Sequence, residues 1–355
     1  HPPQFDCIGC DGMPLLQWLE TVIYPAETWW GRGAARALMR RALRDMLLQG
    51  TVGFAGYLTS HAQSAHDAIA AAKNSTHMRM LVGRVAMDRG APDSHIVEDQ
   101  WRAQRTPRTH VALPDDPDPR VDISINPRFA PTCSDELLAE CGWAIEDRPD
   151  LWTQTHLAES IAECELVRSL FPDHAHYTAV YDRSGLLNRR TLLAHCVHLV
   201  REEWELIAER QSVVVHCPTA NLFLNSGLFD LDTARSHDVR FALGSDVGAG
   251  PDVAMPRVAR AMIETAKTRK SMGAGGRHVP TPAEAFRCIT SGNADALGWS
   301  DCGRIAKGAW ADLLILNIPE TWHDEHLIGR LLYAWSPTLI EHRVIAGSLA
   351  DPATI

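Results

Sequence analysis

What most constrains this chain is a repeated alternation of apolar, β-branched runs with stretches whose apolar residues recur at helical spacing. Seven runs read as strands: TVGFAGYL (51–58), MRMLVGRVAMD (78–88), VDISINPR (121–128), LWTQTHL (151–157), TLLAHCVHL (191–199), SVVVHCP (212–218) and VRFALGSD (239–246). Between them, ARALMRRALRDMLLQG, SDELLAECGWAIED and REEWELIAERQ read as amphipathic helices. Sustained β/α alternation calls for a parallel sheet, because a parallel neighbour is reached only through a crossover that brings the chain back to the same end. A (β/α)8 TIM barrel of about 250 residues would need one further strand. The chain opens with His1 and not Met, so the expectation is an N-terminally truncated α/β barrel whose first strand lies before His1.

The barrel is expected to span residues 1–303. Beyond it the alternation stops, and GRIAKGAWADLLILN and EHRVIAGSLADP read as short strands separated by turns, a small unit over 304–355. Residues 89–120 fit worst, with a helical pattern interrupted by Pro107 and followed by a proline-rich acidic loop.

Charge and cysteine usage narrow the function classes. The formal net charge is −10 with no long Lys or Arg run, so the basic footprint of a nucleic-acid partner is missing. No apolar run approaches the roughly 18 to 20 residues of a spanning helix, and HPPQFDCIGC lacks the regions of a signal peptide. A soluble cytoplasmic enzyme with no membrane partner is expected. Nine cysteines, an odd number, suit reduced thiols better than a disulfide framework. The CIGC at 7–10 lacks the accompanying H-x-E of Cys-x-x-Cys nucleobase deaminases, and Cys7 and Cys10 are read as incidental.

Polar residues gather at the C-terminal ends of the strand candidates: Arg128, His156 with Glu159, His195, His216 and Asp246. In a parallel barrel those ends converge on one face, where a site is assembled from several strands. Singly, each residue has a plainer reading. Most of the 17 histidines are expected to be ordinary hydrogen-bonded imidazoles, Asp246 could cap a turn, and His216 could simply close a strand. Jointly, imidazoles at three strand ends and a carboxylate at a fourth suit Zn²⁺ with a position open for water. Such a cation lowers the pKa of its water toward about 7 and yields a nucleophile at neutral pH. A carboxyl group beside it must then move protons to a leaving nitrogen. Glu159, three residues after His156, meets that description if the chain turns after the strand; otherwise it is a surface glutamate opening the helix ESIAECELVRSL.

These segments resemble the amidohydrolase superfamily and, within it, the guanine deaminases. HPPQ is similar to the second histidine of the family's H-x-H signature with its Pro-Gln tail, and WLETVIYPAE, GRVAMD, NPRFAPTCS, QTHLAES, VYDRSGLLNRRTLLAHCVHL, HCPTANLFLNSG and GSDVGAG follow in family order. The resemblance runs from residue 1 to about 350. It implies a zinc-dependent deamination of guanine to xanthine and ammonia, by attack of zinc-bound hydroxide at C2. His1, His156 and Asp246 would ligate one Zn²⁺ per protomer, Glu159 would shuttle protons, Asp246 would also take a proton, and His195 would orient the water or the intermediate. Gln4 and Arg128 would read the purine's polar edge, with Phe129 against its ring and His156 and Glu159 also at the substrate. The resemblance further implies a homodimer and, at 304–355, strands of a small β-sandwich.

The sequence departs from the family pattern in four ways. The first histidine of H-x-H is absent, Ala220 stands where serine is usual, Ser245 stands where threonine is common, and the helix before the fourth strand is irregular. Two other readings stay open: a related aminohydrolase acting on another purine, a pterin or a triazine, and a non-catalytic scaffold.

Overall fold

The computed structural model of the chain describes residues 1–96, 118–274 and 278–355. Each predicted run forms a strand: β1 (Gly53–Tyr57), β2 (Arg79–Gly83), β3 (Val85–Ala86), β4 (Val121–Pro127), β5 (Trp152–Leu157), β6 (Thr191–His195), β7 (Val213–His216) and β8 (Arg240–Leu243). The run at 78–88 supplies both β2 and β3. The interruption falls where Gly83 packs so tightly on Ser124 that a Cβ would collide with the Ser124 carbonyl. Pairing is parallel throughout, in the order β1-β2-β4-β5-β6-β7-β8 with β3 also on β4. The curled parallel sheet wrapped by helices is the (β/α)8-type barrel that the alternation predicts. Pro107 and its neighbours lie outside the described residues.

Burial explains why the strands read as continuous apolar runs. All five residues of β6 are buried, as expected when one face meets the barrel interior and the other meets helices. Leu81, Trp152, Leu192, Val213 and Ala242, each from a different strand, form one cluster with Leu297 and Trp299 that fills the barrel toward the strands' N-terminal end. The opposite end is left for polar residues. On the outside, the helix Ala35–Leu48 buries Ala35, Met39, Ala42, Leu43, Met46 and Leu47, a single stripe at helical spacing. Ser134 caps the helix Asp135–Asp147 by accepting from Leu137 N.

The last residues form an antiparallel sheet, β9 (Leu313–Leu316), β10 (Ile340–Ile345) and β11 (Ser348–Leu349), in the order β11-β10-β9. Side chains bind it to the barrel. Arg343 donates to the carbonyls of Leu47 and Leu48 at the end of the helix Ala35–Leu48. Arg120 Nη2 meets both carboxylate oxygens of Asp312 at 2.8 and 2.7 Å, with both side chains buried. Removing one partner of such a pair strands the other charge, so Arg120→Ala should lower stability by about 3 kcal/mol. Urea unfolding of the variant beside the parent measures this, and an unchanged midpoint would mean the pair contributes nothing.

Candidate active site

Four strand ends deliver the polar set to one mouth. Arg128 and Phe129 follow β4, His156 is the fifth residue of β5, His195 closes β6, and Asp246 lies three residues beyond β8. Parallel register sets His156 opposite Ala194 and Leu157 opposite His195. His195 and Asp246 have φ of 73° and 48°, left-handed backbone that a β-strand does not use. Non-glycine residues take it up at a cost of about 1–3 kcal/mol, and such strain concentrates where a side chain must be aimed. His1 heads the short 3-10 turn Pro2–Cys7, which carries Gln4.

Two clusters of metal-capable groups share Asp246. His1, His156 and Asp246 form one and Glu159, His195 and Asp246 the other, each with its ligating atoms within 4.8 Å of one another. His1 Nε2 lies 3.2 Å from His156 Nε2 and 3.3 Å from Asp246 Oδ1. Tetrahedral Zn²⁺ with bonds of about 2.1 Å would hold neighbouring ligand atoms about 3.4 Å apart, so these separations fit such an ion. The ring of His156 is oriented compatibly, since its Nδ1 is held 2.7 Å from the Arg128 carbonyl, leaving Nε2 to face its partners. Burial, then the neighbouring His195, pushes the His156 pKa down to about 3. The ring is therefore neutral at physiological pH, the form that can ligate a cation.

His195 is fully buried, with Nδ1 2.9 Å from Asn221 Oδ1. Among the described residues its Nε2 has no hydrogen-bond partner, and it lies 3.5 Å from Glu159 Oε2 and 3.8 Å from Asp246 Oδ2. Burial disfavours charge on this ring, but the carboxylates of Glu159 and Asp246 outweigh it and the pKa rises. For Glu159 burial dominates, His195 opposes it, Asp246 and Glu163 assist it, and the carboxyl is pushed up to about 7.

The close spacing of His156 and Glu159 has a local cause. After β5 the backbone turns at Ala158, with φ of 50°. The Glu163 carboxylate then accepts from Glu159 N at 2.7 Å and Ser160 N at 3.1 Å and is itself held by Tyr177 Oη at 2.8 Å. Ser160 caps the helix Ile161–Leu170 in a capping box with Glu163. Glu159 is thus outside the helix and only 3% exposed, which overturns the surface-glutamate reading.

His216 does not belong to the set. Its ring stacks on Phe229 at a centroid distance of 4.5 Å, and among the described residues it joins neither metal-capable cluster. Burial followed by the His195 charge pushes its pKa down to about 3, consistent with a neutral ring packed among aromatic ones. Its place at a strand end suggested otherwise, because sequence shows that a residue closes a strand but not which side of the barrel wall it faces.

A pocket opens beside the clusters, lined by His1, Gln4, Leu15, Trp18, Leu19, Arg128, Phe129, His156, Glu159, Leu224 and Asp246. Sequence reasoning missed the apolar walls Leu15, Trp18, Leu19 and Leu224. It also gave no role to Asn221, Tyr57, Glu163 or Glu27. Tyr57 stacks on His1 at 4.6 Å, and Glu27 accepts from both Gln4 and Arg128. Glu27 and Asn221 stand inside the segments YPAE and HCPTAN, where a buried polar position could have been suspected.

Known proteins resemble the chain in sequence and in fold. The profile of the Amidohydrolase family matches residues 7–344. Guanine deaminase of Escherichia coli is 34% identical over 361 residues, covering 100% of this chain and 78% of that protein. A crystal structure of guanine deaminase from C. acetobutylicum with bound guanine in the active site superposes with a TM-score of 0.91 at 28% identity, covering 99% of this chain and 84% of the other. An adenosine deaminase from Xanthomonas campestris with bound zinc superposes with a TM-score of 0.79 at 26% identity, covering 98% and 77%.

Proposed function

The chain belongs to the amidohydrolase family, a hydrolase of C–N bonds, and from that premise we propose that it deaminates guanine to xanthine and ammonia with one Zn²⁺ per protomer. The observation that carries the reading is that Gln4, Arg128 and Phe129 line the same pocket as His1, His156, Glu159 and Asp246. A polar purine could meet fixed recognition groups and the hydrolytic groups there at once. The guanine named with the C. acetobutylicum structure supports the substrate, and the zinc named with the Xanthomonas structure supports the metal.

His1, His156 and Asp246 would hold the ion, which supplies Lewis acidity and a water acidic enough to attack C2 at neutral pH. The protein's own groups manage protons and position. Glu159, with its pKa near 7, can take a proton and return it to the departing amine at little cost in either direction. Asp246 has one oxygen toward His1 and the other toward His195, so it can accept a proton while keeping a ligating oxygen. Asn221 Oδ1 can only accept, so His195 Nδ1 carries a proton, and its Nε2 would donate to the oxygen that becomes the xanthine carbonyl in the imidazolium form that Glu159 and Asp246 favour. Gln4 and Arg128 would bind the edge of the purine and Phe129 would pack against its face.

Every residue in this scheme falls within 1–303. The division into a barrel and a 304–355 unit is therefore proposed with catalysis in the first part and support in the second. Among the described residues no helix is long and apolar enough to cross a membrane. A cytoplasmic homodimer completes the proposal, with mass in solution as the check on the dimer.

The natural protein should release ammonia from guanine, lose that activity on chelation, and regain it with added Zn²⁺. Bound zinc without ammonia from guanine would keep the metal centre and move the substrate to another purine, a pterin or a triazine. Neither signal from a folded protein would favour the scaffold.

A further inference from the structure

Behind the recognition residues lies a carboxylate that does not reach the pocket. Glu27 is fully buried and is absent from the pocket wall, whereas Gln4 and Arg128 belong to it. Glu27 Oε1 accepts from Gln4 Nε2 at 2.9 Å, and its two oxygens accept from Arg128 Nη1 at 3.1 and 2.9 Å. Its helix, Tyr24–Trp29, follows a π-helical turn at Leu19–Ile23 and gives way to a kink at Arg32 and Gly33. A π turn inserts one residue and rotates the next helical segment by about 100°. The insertion before Tyr24 therefore resets which side chains of the helix face the pocket side.

We propose that Glu27 is a positioning residue that fixes the donor and acceptor pattern of the pocket, and thereby selects a cis-lactam edge, an N–H beside a C=O, over the amidine edge of a 6-aminopurine. The inference rests on the guanine reading of the site. A glutamine amide has an oxygen and an NH₂ of similar size, and shape alone does not decide which faces a ligand. A carboxylate can only accept. Facing Glu27, Gln4 must turn its NH₂ inward, and its carbonyl oxygen is left as an acceptor, 3.4 Å from Gly248 N. Arg128 is pinned through Nη1, with its guanidinium carbon 5.4 Å from the Tyr24 ring centroid. Its other N–H groups make no further hydrogen bond among the described residues and remain donors.

A lactam gives its N–H to the Gln4 oxygen and its carbonyl to Arg128. An amidine edge reverses both, bringing a ring lone pair against an oxygen and an amino group against a guanidinium. A site whose buried groups are left unpaired rejects the wrong ligand far more strongly than one that merely loses contact area.

The test compares the parent, Glu27→Gln and Glu27→Asp on guanine and on 2,6-diaminopurine, which has the same C2 amino group but an amidine edge, taken as substrate or as competitive inhibitor. Zinc content and melting temperature are measured alongside. In Glu27→Gln the new amide offers only one acceptor oxygen, so Gln4 is free to flip. KM for guanine should rise at least about tenfold, kcat should fall less than about threefold, and the preference for guanine should shrink at least about tenfold, with zinc unchanged. Glu27→Asp retains the charge beside Arg128 and should fall between parent and Gln variant. If Glu27→Gln does not fold, the Asp variant decides alone, its preference for guanine falling in the same direction. A lowered melting temperature or kcat with the preference unmoved would make Glu27 a structural residue and overturn the inference. A zinc-loaded parent that releases no ammonia from guanine would instead overturn the functional reading beneath it.

Discussion

Glu159→Gln is expected to lower kcat on guanine by about 10³-fold, within the range for removing a positioned proton carrier, while zinc per protomer stays at the parent's value. The amide is isosteric and Glu159 is not one of the three proposed ligands, so the metal has no reason to leave. The carboxyl sits in a place that disfavours its charge, where burial and the neighbouring Asp246 and Glu163 raise its pKa to about 7 against the pull of His195. As the proposed proton acceptor it would have to start ionised, so kcat/KM should fall as pH drops through its pKa. A cation held next to it would favour the ionised form, so the acid limb should lie below about 7 and not above it. In the Gln variant that limb should vanish from the residual activity. The sign for stability is opposite: a raised folded-state pKa means the fold binds the proton more tightly than the unfolded chain, and this contribution is lost as pH rises from the unfolded value through the folded one. At about pH 8, above both values, the metal-free variant should therefore melt no lower than the metal-free parent. Parent-like turnover would remove Glu159 from the mechanism, and zinc loss in step with activity would make it a ligand.

The fold was legible because its signal is local. Runs such as SVVVHCP and TLLAHCVHL are apolar on both faces, and their repeated alternation with amphipathic helices marks them as buried parallel strands. The proximity of His156, His195 and Asp246 followed from topology alone, because parallel strands bring their C-terminal ends to one mouth. Topology could not tell inward from outward: His216 closes β7 as His195 closes β6, yet it stacks on Phe229 while His195 meets Glu159 and Asp246. The difference lies in backbone geometry, since His195 leaves its strand at a positive φ. Glu27 was hidden for another reason. It lies 101 residues from Arg128 in the chain, on a helix whose phase is shifted by the π turn before it and which ends in a kink at Arg32 and Gly33, and a period of about 3.6 residues does not carry across such interruptions.

Arg128→Ala should lower kcat/KM for guanine by about 10³-fold, because on the proposed reading the guanidinium pairs with the substrate edge, and it also keeps Glu27 compensated. Metal content should barely change. The contact that orients His156 is made by the Arg128 backbone carbonyl, at 2.7 Å from Nδ1, and a side-chain truncation leaves that carbonyl in place. Stability should drop as well, by about 3 kcal/mol, since Glu27 would stay buried with Gln4 as its remaining side-chain partner. Arg128→Lys separates the two effects. Its ammonium can still neutralise Glu27, so most of the stability should return. It lacks the planar fork that holds a carboxylate on one side and offers donors to a ligand on the other, so most of the loss in kcat/KM should remain, carried by KM. If lysine restored guanine turnover together with stability, Arg128 would be acting only as a counter-charge, and recognition of the purine would have to be assigned to Gln4 and the apolar walls of the pocket.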